Sequence, residues 1–322
     1  MNLKVWLFAG SLIFPVATNA AQDQPYPARP IRLIVPSPAG GGMDMLARFI
    51  GQGLTEQWHQ QVVVDTRPGA TGIIGTSIAA KASPDGYTLL LAWVSPLAIN
   101  PSLYSKLPYD VDKDLSPIMR VATIPNILVV RPSLDVATVK DFIAWAKAKP
   151  GQLSYASSGI GGSSHLAGEL LKSMTGINIV HVPYKGTPPA ILDVIAGRVD
   201  ALFAAAPPAL PHIRTGKLKA IAVSTAERSP NLPDIPAVSE TVPGFSAETW
   251  YGLMAPAGTP QQIVLKLNAE IARFLKDPES TQKLAAQGFV VVASSRQDFI
   301  QYLHSELVKW RKVIQATGIH AE

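Results

Sequence analysis

Two glycine clusters are the residues best placed to do chemistry. The first is Pro36-Ser37-Pro38-Ala39-Gly40-Gly41-Gly42-Met43-Asp44, and the second is Ser157-Ser158-Gly159-Ile160-Gly161-Gly162-Ser163-Ser164-His165. Glycines let the backbone turn sharply and bare its N–H groups, and a helix beginning there adds partial positive charge. That combination is a receptacle for an anion. Covalent chemistry is less well served. Ser163 and Ser164 adjoin His165, which superficially suggests a secreted serine hydrolase. Neighbours at a helix start rarely face one another, however, and Gly-x-Ser-x-Gly is absent. His165 and Glu169 have metal-sharing spacing but no third ligand beside them, so no metal is expected. Neither cluster spells a nucleotide-phosphate loop, so no cofactor is expected.

Each cluster needs a strand before it and a helix after it. Ile31–Val35 is an apolar run of strand length, and Leu46, Phe49, Ile50 and Leu54 then recur at helical spacing. Further strands are expected at Gln61–Val64, Thr88–Ala92, Ile127–Val130, Ser154–Ser157, Asn178–Val182, Ala201–Phe203 and Ala220–Ser224. Thr138 with Asp141 resembles a capping box, Thr187-Pro188 opens a helix and Gly197 ends it. This alternation predicts an α/β fold with parallel sheets covered on both faces. Ligands in such sheets sit at the carboxyl ends of strands, where both glycine clusters fall. The clusters are therefore expected to form opposite walls of one cleft. Near the C-terminus, Ile263, Leu267 and Ile271 mark one helix, and Phe299, Leu303, Leu307 and Trp310 another. Both should pack against the first domain.

The N-terminus predicts an export signal over residues 1–20. Lys4 is the positive region, Val5 to Ala17 the apolar core, and Thr18-Asn19-Ala20 the cleavage site, with cleavage after Ala20 or Ala21. The expected mature chain has 302 residues (322 minus 20), enough for two domains, and a charge reduced from +5 to +4 by loss of Lys4. There is no cysteine, which excludes disulfides, thiolate metal sites and a lipidated N-terminus. Dispersed basic residues argue against nucleic acid as a partner.

Beyond the clusters, several segments carry a family resemblance: Arg67-Pro68-Gly69-Ala70, Ser83-Pro84-Asp85-Gly86-Tyr87-Thr88-Leu89-Leu90, Asn100-Pro101-Ser102-Leu103-Tyr104 and Leu107-Pro108-Tyr109-Asp110. His181-Val182-Pro183-Tyr184-Lys185-Gly186, Ala209-Leu210-Pro211-His212-Ile213 and Ala255-Pro256-Ala257-Gly258-Thr259-Pro260 complete the series. In order and extent the sequence resembles the Bug-type solute-binding receptors of tripartite tricarboxylate transporters. The resemblance implies a two-lobed, type II periplasmic binding fold of the Venus-flytrap kind with a ligand cleft between domains. Domain 1 would comprise residues 21–125 and 225–322, and domain 2 residues 126–224, with crossings near Pro125–Asn126 and Val223–Thr225. It also implies a periplasmic receptor, not an enzyme, that passes a small organic acid to two integral membrane subunits, and a monomer is the default for a receptor that closes. A ligand-sensing module of a signalling system would have the same cleft and remains the alternative.

Departures from the family pattern bear on the ligand. Ser37 replaces the usual phenylalanine, Met43 a threonine, and Ala204 an aspartate that follows Phe203. Lack of that acid predicts a carboxylate with an apolar body, an aromatic or dicarboxylic acid such as terephthalate, in preference to an amino acid. On the first wall the expected ligand-binding residues are Ser37, Ala39, Gly40, Gly41, Gly42 and Asp44, with Asp44 fixing the loop. Thr71 and Ser95 would add hydroxyls, and Trp93 is either a stacking face or ordinary core. On the opposite wall they are Ser157, Ser158, Gly161, Ser163, His165, Tyr184, Lys185 and, at the missing acid, Ala204. His165 either donates to the anion or caps its own helix. Lys185 either attracts a second carboxylate or simply stands exposed.

Overall fold

The computed structural model describes residue 1 and residues 26–317. The expected signal peptide and its cleavage after Ala20 or Ala21 lie outside the described residues. Among the described residues, eleven strands form two sheets. The strands are β1 (Ile31–Val35), β2 (Val62–Thr66), β3 (Thr88–Trp93), β4 (Leu115–Ile124), β5 (Asn126–Val130), β6 (Ser154–Ser157), β7 (Val180–Pro183), β8 (Ala201–Ala205), β9 (Lys219–Val223), β10 (Thr249–Pro256) and β11 (Val290–Val291). The helices are α1 (Gly42–Trp58), α2 (Ile73–Ala80), α3 (Asn100–Leu103), α4 (Val111–Asp114), α5 (Val139–Ala148), α6 (Ser163–Thr175), α7 (Thr187–Ile195), α8 (Ala206–Arg214), α9 (Gln261–Lys276), α10 (Pro278–Ala286) and α11 (Arg296–Thr317). None among the described residues is long and apolar enough to cross a membrane.

The first sheet has the order β11-β4-β10-β3-β1-β2 and the second β7-β6-β8-β5-β9. Both are mixed rather than parallel. β1 is parallel to β2 and β3, and β6 to β7 and β8. β10, however, runs antiparallel to β3 and β4, and β5 antiparallel to β8 and β9. The cause is the route of the chain. A strand reached through a helical crossover returns parallel. β5 and β10 instead arrive directly from the other sheet and enter from the opposite end. β4 passes into β5 through Pro125 alone. The return is slower than expected. After β9 the residues Val238, Val242, Phe245 and Ala247 still cover the second sheet, and the chain rejoins the first only at Thr249.

Strand alternation sends Leu33, Val35, Leu89 and Leu91 to one face of the first sheet and Ile34, Leu90 and Ala92 to the other. α1 and α9 cover the former face, through Leu46, Ile50, Leu54, Leu267 and Ile271. α11 covers the latter, through Phe299, Leu303, Leu307 and Trp310. Val264, rather than Ile263, is the buried residue of the first α9 turn. The second sheet is likewise covered on both faces. The capping box before α5 forms as expected: Thr138 Oγ1 accepts from Asp141 N–H at 3.1 Å, and Asp141 Oδ2 accepts from Thr138 N–H at 3.0 Å.

Candidate functional site

Both glycine clusters open into one cleft of about 680 Å³ between the sheets. β1 delivers the chain to Gly41, the residue before α1, which is extended (φ −80°, ψ 166°) and offers no side-chain cap. β6 does the same for Gly162 ahead of α6 (φ −69°, ψ 156°), again without a side-chain cap. The first N–H groups of each helix have no intrahelical acceptor. Gly41, Gly42 and Met43 line one wall, and Ser158, Gly159, Ile160, Ser163 and Ser164 the other. Two positive helix ends therefore face a shared space. Lys185 is the one charged residue on the lining among the described residues.

Asp44 is turned away from this space. It is buried, and its Oδ2 accepts from Gly40 N–H at 3.0 Å and from Arg48 Nε at 3.1 Å, which ties the loop to the helix. Ala39 and Gly40 stand exposed outside the lining. Ser37, Gly41 and Gly42 remain on it, with Met43 added.

A third wall comes from the loop after β2. Gly69, Ala70, Thr71 and Gly72 have φ of 128°, 46°, 48° and 89° in succession. Gly72 is required by packing, because a Cβ there would lie 2.7 Å from the Trp93 ring. Thr71 reaches across the cleft: its Oγ1 donates to Ile160 O at 2.6 Å, while Asn100 Nδ2 donates to Thr71 O at 3.1 Å. Trp93 lines the cleft and also packs into the cores on both faces of the first sheet. Ser95 does not reach the lining. β3 ends at Trp93 and turns into a wide helical segment, Ser95–Ile99, that is wholly buried.

On the opposite wall the geometry separates the expected residues. Ser158, Ser163, Tyr184 and Lys185 line the cleft. Ser157, Gly161 and His165 lie behind it. The Ser157 hydroxyl is fully buried and 2.7 Å from His181 Nε2. Gly161 faces Leu103, and a Cβ there would meet that side chain at 2.3 Å. His165 Nδ1 accepts from Gly161 N–H at 3.1 Å, so the ring secures its own loop instead of meeting an anion. Burial depresses its basicity, and burial with the neighbouring His165 brings His181 down to about 4. Ala204 is buried in the core of the second sheet because β8 alternation points it away; Ala205 takes the cleft position. Tyr184 directs its hydroxyl to Asp193 Oδ2 at 2.8 Å.

Ser163 and Ser164, the serines adjoining His165, are engaged by other partners. Ser163 Oγ accepts from Thr249 Oγ1 at 2.8 Å, and Ser164 Oγ accepts from Ser158 N–H at 2.8 Å. No group of three His, Cys, Asp or Glu residues able to hold a metal occurs among the described residues. The floor is made by residues that sequence reasoning missed: Asn126, Ala205, Thr249 and Tyr251. They stand where the chain crosses between sheets, so the expected crossing at Pro125–Asn126 was the available signal. What this arrangement can do is hold an anion by main-chain donors in a cleft whose lining is largely apolar.

Comparison with known proteins agrees with that chemistry. The model of the "tripartite tricarboxylate transporter family receptor" matches residues 46–319. Protein BugT of Bordetella pertussis is 40% identical over 318 residues, covering 98% of this chain and 96% of that protein. The structure of R. palustris Rpa4515 with adipate superposes with a TM-score of 0.89 at 38% identity, covering 92% of this chain and 99% of that one. MatC from Rhodopseudomonas palustris with bound malate gives a TM-score of 0.83 at 30% identity, covering 90% and 100%. This two-lobed chain belongs to the tripartite tricarboxylate transporter receptor family.

Proposed function

We propose that this receptor captures a small dicarboxylate with an apolar body in the periplasm and delivers it to the integral membrane subunits of a tripartite tricarboxylate transporter. The observation that carries the proposal is the convergence of two uncapped helix N-termini, one from each lobe, on a single cleft. Adipate and malate in related structures are both dicarboxylates, which supports that ligand class. The lining contains no acidic residue among the described residues, so a ligand ammonium group would find no counter-charge there. That disfavours amino acids. Trp93 and Tyr251 offer aromatic faces, which keeps an aromatic diacid such as terephthalate within the class.

The energetics suffice without a metal or an arginine clamp. Each charge-assisted hydrogen bond contributes about 1.5–3 kcal/mol net, and a partly buried helix end up to about 2 kcal/mol. Micromolar binding needs about −8 kcal/mol. Three or four main-chain N–H contacts plus burial of an apolar body against the cleft lining reach that value after ordering costs. Closure of the lobes excludes water and strengthens each contact.

A thermal-shift screen of the mature protein with adipate, malate, terephthalate, glutamate and aspartate tests the proposal. Stabilisation by one or more of the first three, with the acid recovered unchanged after prolonged incubation, is expected. Preference for glutamate or aspartate, or conversion of the acid, refutes it. N-terminal sequencing of exported protein should begin at Ala21 or Gln22, and light scattering should give a monomer. The lobes are proposed to divide as residues 26–125 with 249–317, and 126–248.

A further inference from the structure

One peptide unit is held from two sides at the cleft. The carbonyl of Ile160 accepts from Thr71 Oγ1 at 2.6 Å, across from the first lobe. The N–H of the same peptide, on Gly161, donates to His165 Nδ1 at 3.1 Å. A peptide group is planar and rigid, so a rotation that breaks one bond strains the other. Both ends of this link are unusual backbone. Thr71 and Ala70 are non-glycine residues with φ of 48° and 46°, and Gly161 has φ of 73°. Side chains disfavour that region, so the Thr71 loop holds a conformation its neighbours must maintain.

His165 can serve Gly161 N–H only while Nδ1 is unprotonated and the ring proton sits on Nε2. Its surroundings favour that state. The ring stacks on His181 with centroids 4.0 Å apart, and His181 stacks in turn on Tyr155 at 5.0 Å. Glu169 lies one turn along α6, but Tyr155 Oη at 2.6 Å and Lys172 Nζ at 2.8 Å already engage its carboxylate. Tyr155, Glu169, Lys172 and His181 are the titratable groups facing the ring among the described residues. Burial and Lys172 oppose a charge on His165, while Glu169 partly offsets them.

We propose that the Ile160–Gly161 peptide is the catch of the closed receptor and that His165 is its proton-sensitive keeper. Protonating Nδ1 sets N–H against N–H, withdraws the acceptor from Gly161, and lets the peptide rotate away from Thr71. Mild acid therefore opens the cleft independently of the ligand's own protonation. This rests on the assignment of the cleft as the ligand site.

The test uses the full mature chain with 15N-labelled histidine and glycine, followed by NMR between pH 8 and pH 4. His165 should be the Nε2–H tautomer at pH 7.5. Its Nδ1 signal and the Gly161 amide should then move with one common midpoint, below the ordinary imidazole value near 6.5. His165→Asn supplies an amide oxygen close to the Nδ1 position, and there the Gly161 amide should lose that transition. Adipate affinity, measured by calorimetry, should fall across the midpoint by about 2- to 12-fold more for the unaltered protein than for the variant. Adipate's own carboxyl groups titrate alike in both and cancel. A Gly161 amide indifferent to His165, or equal pH slopes in the two proteins, overturns the proposal. If none of adipate, malate and terephthalate binds at any pH, the ligand assignment fails, and the amide titration still decides the catch.

Discussion

Gly41→Val separates binding from folding. Gly41 has φ −80°, which any residue adopts, and a Cβ built there meets only Pro38 O, at an ordinary 3.6 Å. The added side chain is thus accommodated by the protein but projects into the space a carboxylate would occupy. Replacing a glycine N-cap by valine costs about 1 kcal/mol. Unfolding entropy of roughly 2.1 cal/mol/K per residue over about 290 residues is about 0.6 kcal/mol/K, so this lowers Tm by about 2 °C. A ligand at 100 times its Kd adds about 2.7 kcal/mol, or about 4 °C on the same scale. Differential scanning fluorimetry with the best acid from the screen should show that rise in the unaltered protein and less than about 1 °C in the variant. Gly42→Val is the contrasting control, because its Cβ would lie 3.2 Å from Tyr251 Oη and 3.3 Å from Pro207 Cγ, and packing should suffer directly. A Gly41→Val protein that keeps the full ligand shift removes the first loop from the site.

Thr71→Val keeps the shape of the side chain and deletes the bond to Ile160 O. A net hydrogen bond of about 0.5–1.5 kcal/mol predicts a 2- to 12-fold loss of affinity by calorimetry, with little change in the melting point of the unliganded protein. The depressed basicity of His181, about 4, gives a defined pH dependence. The unfolded chain takes up the proton near 6.5, so the stabilising contribution is complete above that pH and is lost as pH falls from 6.5 through 4. Allowing for partial exposure, urea unfolding at pH 7.5 and pH 4 should reveal about 1–2 kcal/mol of loss that His181→Gln lacks. Glu306 is buried, and its Oε2 accepts from Trp250 Nε1 at 2.8 Å and Trp310 Nε1 at 2.9 Å, pinning α11 to β10. Glu306→Leu leaves two indole N–H groups unpaired and should cost about 2–5 kcal/mol in urea melts, most of it recovered by Glu306→Gln.

What the sequence made legible was local. β1 and β6 fall on the expected residues because an apolar run ends at a glycine cluster, and α5 starts where its capping box says. β4 and β10 escaped notice because each breaks the local pattern and is rescued from afar. β4 contains Pro117, whose carbonyl accepts from Arg296 Nε, and Arg120, which stacks over the Tyr302 ring at 3.8 Å. β10 contains Gly252, a poor strand residue until the Phe299 ring is seen where its Cβ would stand, at 2.3 Å. The site divides along the same line. Loop residues such as Gly41, Gly42, Ser158 and Ser163 could be read from the clusters that contain them. Thr249 and Tyr251 could not, because they belong to the unrecognised β10. The direction of His165 could not either, because His181, sixteen residues away, supplies the face on which its ring stacks.

Dividing the work between main chain and side chain has a consequence for specificity. N–H groups at two helix ends recognise negative charge and little else, so the requirement they impose on sequence is mostly for glycine where the backbone must turn or be approached closely. Gly42 beside Tyr251 and Gly186 beside Pro38 are such places. In the proposed site, changing the ligand without losing the anion cradle would act through lining side chains such as Met43, Trp93 and Tyr251. Tyr251 is the most constrained of these, since burial holds its phenol neutral by raising its pKa. A neutral hydroxyl beside an apolar wall can donate to an uncharged polar group or to a second carboxylate, but it cannot neutralise an ammonium ion. In the site proposed above, such a lining is expected to admit aliphatic and aromatic diacids ahead of amino acids, with the main-chain cradles left unchanged.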